Sequence, residues 1–148
     1  MTIMEAITRI DAIKPNTYSL PEKTSWLSEI DRTIMREIIE THEGDSTVIF
    51  DGYTDNTPLT TELLVPAPYD ELYLYYLESR VDYWNGETKR YNNSIKVFNE
   101  AYKAFANYYN RTHMPKGKKF KYFGTPDTKE YQAVTAIAKV TIEEDNNG

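Results

Sequence analysis

Cysteine is absent from this 148-residue chain, so no disulfide framework or thiolate metal site can form, and a reducing compartment suits it. No apolar run approaches the length of a membrane span. The first residues also lack the basic-then-apolar pattern of a secretory signal, so the expected chain is soluble and intracellular at synthesis, without a membrane partner. A basic excess is missing too: the net charge of −6 argues against a general nucleic-acid binder. Gly-x-Ser-x-Gly elbows, Walker-type loops and Gly-x-Gly-x-x-Gly turns are all lacking. Histidine is scarce, at two residues. His42 and His113 each stand beside an expected helix C-terminus, where the dipole favours them, and Thr41-His42-Glu43 has no second metal ligand at helical spacing. Glu37 with Glu40, and Glu78 with Asp82, read as solvated helix faces rather than tuned acid–base pairs. No catalytic residue, cofactor or metal is expected, and an enzyme is disfavoured.

Tyrosine, by contrast, is plentiful, with thirteen in the chain. Many lie in residues 63–113, the stretch that organises the rest. Pro66 and Pro68 are tolerated only at a helix's first turn, and Asp70 and Glu71 suit its positive end. From there Leu74, Leu77, Val81, Trp84, Thr88, Tyr91, Ile95, Phe98, Tyr102, Phe105 and Tyr109 follow at steps of three and four, one sustained helical seam. The phase continues across Asn85-Gly86. That favours one long helix, kinked at Gly86 and about 65 Å long, over a break there into two antiparallel helices. A second apolar line, Tyr69, Leu72, Tyr73, Tyr76, Arg80 and Tyr83, makes the first half apolar over much of its circumference, so it should be covered on more than one side. The bland reading is a central core helix. The sharper one makes Tyr69, Tyr73, Tyr76, Tyr83, Tyr91 and Tyr102 subunit-interface candidates, since tyrosine joins a large apolar body to a polar tip.

The expected fold is mainly α: a helical bundle on a long central helix, with a small β-hairpin or loop and an extended C-terminal arm. One helical core domain spans 1–113, with a β or loop insertion at 45–65, and the arm spans 114–148. Thr2-Ile3-Met4-Glu5 and Ser19-Leu20-Pro21-Glu22 have capping-box form. The first precedes a stripe of Ile3, Ala6, Ile7, Ile10 and Ile13 ended by Pro15. The second precedes a face of Leu27, Ile30, Ile34 and Ile38, with Gly44 placed to end the helix as a left-handed cap. Thr47-Val48-Ile49-Phe50 and Leu63-Leu64-Val65 are short extended runs about turn residues Asp51-Gly52 and Asp55-Asn56.

Beyond Pro115, Lys116, Lys118, Lys119 and Lys121 form a basic cluster interleaved with Phe120, Tyr122 and Phe123. It fits three descriptions: phosphate contacts with stacked bases, a lysine-protected strand edge, or an arm laid into a partner's groove. Residues 131–142 fit either a strand or a short helix.

Taken together, Leu64-Val65-Pro66-Ala67-Pro68-Tyr69-Asp70-Glu71-Leu72-Tyr73, Tyr83, Asn85-Gly86-Glu87, Arg90-Tyr91-Asn92-Asn93, Phe98-Asn99 and Tyr108-Tyr109-Asn110-Arg111-Thr112-His113 resemble the head–tail connector (adaptor, or head-completion) proteins of long-tailed phages and prophages of Gram-positive bacteria. The likeness covers most of the chain, including the opening helix, and is weakest after Lys116. It rests on composition and order and carries no catalytic signature. The resemblance implies a virion structural protein of the neck, made in the host cytoplasm. Its copies would form a ring, commonly a dodecamer, beneath the portal protein. That ring continues the channel for packaged DNA and seats the next neck, stopper or tail-completion protein. Family members often dock on the portal through a C-terminal arm, so the resemblance makes Phe120, Tyr122, Phe123, Tyr131, Val134, Ile137, Val140 and Ile142 portal-docking candidates. The alternatives are a nucleic-acid-binding accessory protein using the 116–121 cluster, and a small regulator dimerising through its tyrosine-rich face.

Overall fold

The first two helices start where their capping boxes stand. In the computed structural model, which describes residues 1–44 and 49–117, α1 runs Ile3–Ile13 and α2 runs Leu20–Ile34. At each start the cap hydroxyl accepts from the third residue's N–H, and that residue's carboxylate accepts from the cap N–H. For α1 every early donor is accounted for. Ile3 N–H donates to Thr61 O (3.1 Å), Met4 N–H to Leu59 O (2.9 Å), Glu5 N–H to Thr2 Oγ1 (3.2 Å) and Ala6 N–H to Thr2 O (3.0 Å). Two of the four orphan groups of a helix start are thus satisfied by a loop about sixty residues away in sequence.

The end of α2 differs from expectation. It passes into a π-helical turn, Met35–Ile39, and Gly44 is not left-handed: among the described residues the positive-φ glycines are Gly52, Gly86 and Gly117. The turn keeps Ile38 in the core and lets His42 Nδ1 reach Ile38 O at 2.6 Å.

The expected long helix is two helices. A 3-10 turn, Tyr69–Glu71, leads into α3, Leu72–Trp84, and α4 runs Thr88–Thr112. Asn85 stays right-handed and Gly86 takes φ +73°. Gly86 N–H then donates to Tyr83 O (3.0 Å) and Glu87 N–H to Asp82 O (3.0 Å), the paired bonds of a glycine-closed helix end. The seam misled because both helices of the hairpin turn their apolar faces toward each other in compatible phase. Its members at the turn, Trp84 and Thr88, are both exposed.

Between the helices, residues 49–68 form an irregular crossover. Among the described residues there is no sheet, only isolated antiparallel bridges at Thr2–Glu62 and His42–Pro115. The fold is mainly helical. Its centre is α3, which packs against α1, α2 and α4 and buries Leu72, Tyr73, Leu74, Tyr76, Leu77 and Val81. Cover on more than one side is what its nearly all-round apolar surface requires. In contrast, α4 contributes one stripe, with Ser94, Phe98 and Phe105 buried over twenty-five residues.

The chain divides into two compact units, Met1–Pro115 and Lys116–Gly148. The second contributes only Lys116 and Gly117 to the described residues.

Candidate functional site

A buried carboxylate fixes the crossover that separates α2 from the hairpin. Asp31, on the inner face of α2, is fully buried. It accepts from Tyr53 Oη (2.5 Å), Tyr73 Oη (2.5 Å) and Leu64 N–H (3.2 Å), while Tyr73 Oη accepts from Val65 N–H (2.9 Å). Burial pushes the Asp31 carboxyl up from its ordinary value, against the pull of its three donors. The Tyr53 and Tyr73 hydroxyls are both pushed up, by burial first and then by the adjacent Asp31 charge. Every strong polar group of the cluster has a partner, which marks a structural lock rather than a poised acid or base. Gly52 makes the lock possible. At φ +97°, a Cβ there would stand 2.3 Å from Ser28 Oγ, the atom that accepts from Tyr53 N–H.

A second buried carboxylate, Asp82 on α3, pairs with Lys14 at the end of α1 and accepts from Ser94 Oγ of α4 at 2.8 Å. It borders an open groove of about 760 Å³ whose rim carries Glu78, Glu87 and Arg90. Lys14 also lies 3.7 Å from Glu78, so its two carboxylate partners hold the end of α1 to α3. Arg90 pairs with Glu87 at 2.9 Å within the first turn of α4.

The tip of the hairpin is different. Tyr83 is 54% exposed and Trp84 57%, in edge-to-face contact at 5.4 Å, and Tyr91 meets Tyr83 edge-on at 5.5 Å. These aromatics form a small platform of apolar surface. Farther off, Ile13 (61%) and Val97 (48%) add exposed apolar side chains along the groove.

The six interface candidates separate accordingly. Tyr73 and Tyr76 belong to this chain's own core: Tyr73 holds Asp31, and Tyr76 packs on Phe98 at 5.1 Å with Arg80 over its ring. Neither is available to a partner, because α3 is covered by its own neighbours. Tyr69 is half-buried and stacks on Tyr108 at 4.7 Å. Tyr102 is half-buried and donates to Glu37 at 2.8 Å. Tyr83, with the half-buried Tyr91, reaches solvent at the tip. The sequence reading placed Trp84 on the buried seam. The neighbouring Asn-Gly pair was the available signal that it stands at a turn.

His42 and His113 come together. His113 stacks flat on Tyr109 at 3.8 Å, and His42 meets the same ring edge-on at 5.1 Å. Among the described residues no three histidine, aspartate or glutamate side chains are grouped to hold a metal. The portal-docking candidates Phe120, Tyr122, Phe123, Tyr131, Val134, Ile137, Val140 and Ile142 lie outside the described residues, as do Lys118, Lys119 and Lys121 of the basic cluster and Thr47-Val48 of the expected hairpin. Lys116 is described and is exposed.

Compared with protein-family models, curated proteins and solved structures, the chain matches none of them.

Proposed function

We propose that this chain is a head–tail connector subunit, a structural protein whose copies form a ring beneath a phage portal and carry the DNA channel toward the neck. The sequence resemblance supplies the identity. The observation that carries the reading physically is the exposed aromatic tip: Tyr83 and Trp84 are both more than half exposed, at the end of a hairpin whose other large aromatics are partly or fully buried. Interface cores are enriched in tyrosine and tryptophan, and a rigid helical hairpin presents them at low entropic cost.

Two further features support it. The polar clusters around Asp31 and Asp82 have their partners within the chain, as suits a scaffold. The groups that the resemblance expects to meet the portal follow Pro115 in sequence, outside the unit Met1–Pro115.

Coexpression with the portal protein encoded by the same genome tests this. The wild-type chain is expected to copurify with the portal ring as a multi-copy assembly. The double variant Tyr83→Ser, Trp84→Ser is expected to fold normally, because both side chains are exposed, yet to lose inter-subunit cohesion on the portal. A wild-type chain that never associates with the portal ring overturns the proposal.

A further inference from the structure

Although the chain as a whole is acidic, α4 is not. Thr88–Thr112 holds five basic residues, Lys89, Arg90, Lys96, Lys103 and Arg111, against one acidic residue, Glu100. Lys89, Lys96 and Lys103 recur every seven residues. They drift only about 20° around the helix per repeat and lie on the side opposite the buried Phe98 and Phe105. All three are exposed, and among the described residues neither they nor Arg111 have an ion-pair partner. Exposed Asn92, Asn93, Asn99, Asn107 and Asn110 fill much of the same outer surface, with Glu100 between Lys96 and Lys103 as its one acid. Elsewhere Lys14 and Lys23 are spent on Asp82 and Asp11, and Arg80 on Glu29, while the exposed Arg32 and Arg36, also without an ion pair among the described residues, share their groove with Glu29 and Glu37.

We infer that the outer face of α4 is a contact surface for the backbone of double-stranded DNA. The chemistry fits. Three lysines about 10.5 Å apart along the helix offer separate point charges to a polyanion that carries one negative charge per about 1.7 Å of its axis. Asparagine amides are neutral donors that also serve phosphate oxygens. The face carries no arginine pair set for bidentate base contacts beyond isolated Arg111, so it reads charge and not sequence. Few, compact and unpaired lysines give a salt-sensitive grip that lets a duplex slide. The inference rests on the connector reading in one respect only: it selects which side of the subunit looks into the DNA channel.

Fluorescence anisotropy of the full chain with a short labelled duplex of mixed sequence, across a salt series, tests it. Combined Lys89→Ser, Lys96→Ser and Lys103→Ser should weaken binding at low salt at least about tenfold and flatten the log–log salt slope by about 2.7. The matching change of all three to Arg should preserve binding. Combined Lys116→Ser, Lys118→Ser, Lys119→Ser and Lys121→Ser should have the smaller effect. The inference is overturned if the α4 triple variant binds as the wild type does, if the arginine variant loses binding, or if polyglutamate competes as well as the duplex, which would make the face a seat for an acidic protein. Portal copurification of the same variants separates the two proposals. A chain that joins the portal but shows no α4-dependent DNA binding sinks this inference alone. A chain that binds DNA through α4 but never joins the portal sinks only the connector reading.

Discussion

Asp31, buried on α2, accepts hydrogen bonds from two other parts of the chain. Its carboxylate ties α2 to the crossover through Tyr53 and Leu64, and to α3 through Tyr73. Tyr73→Phe removes one donor from that carboxylate and the acceptor of Val65 N–H, leaving a buried N–H unpaired. The expected loss is about 2–3 kcal/mol in urea unfolding, and a loss below about 0.5 kcal/mol would contradict the assigned geometry. Because burial raises the Asp31 carboxyl above its ordinary value, the folded chain holds that proton more tightly than the unfolded one. The associated stability is fully present below the ordinary carboxylate range and is lost as pH rises through the raised value. The stability difference between wild type and Asp31→Asn should therefore fall in the wild type's disfavour as pH rises through that window, as read by unfolding at a series of pH values. A difference that stays flat with pH would contradict it.

Among the elements, α1 and α2 were the most legible in the sequence, because their signals are local: a hydroxyl, a carboxylate three residues on, and an apolar stripe. The hairpin was not, because the step of three and four from Val81 to Trp84, Thr88 and Tyr91 crosses the turn without a break in phase. The Asn-Gly pair between them was the better guide, since Gly86 needs a left-handed backbone that the other residues avoid. The crossover was illegible for another reason. Its anchors Tyr53 and Leu64 find Asp31 at separations of 22 and 33 residues, and no periodicity reports such a pairing. Gly52 and Gly86, two of the three positive-φ glycines among the described residues, should respond unequally to alanine. Gly86→Ala meets no atom within 4 Å and should cost about 1–2 kcal/mol from φ alone. Gly52→Ala must also displace Ser28 Oγ and Arg32, so its melting temperature should fall further. Equal losses would argue against the close approach at Gly52.

Across the molecule, apolar and charged surface are sorted by place. Tyr73 and Tyr76, which looked like interface residues in the sequence, are core, and the exposed aromatics among the described residues are Tyr83 and Trp84 at the hairpin tip, the surface proposed for assembly. The lysine row runs along the opposite side of α4 from its packing stripe. A subunit with a sticky tip and a separate basic face can join its copies and still present charge to something passing between them. Native mass measurement of the chain coexpressed with its portal ring tests that claim most directly. The wild type is expected as a fixed multiple of the subunit mass on the portal, reduced to sparse or single copies by Tyr83→Ser with Trp84→Ser. A portal ring carrying no subunit, or a full complement of the double variant, would contradict it.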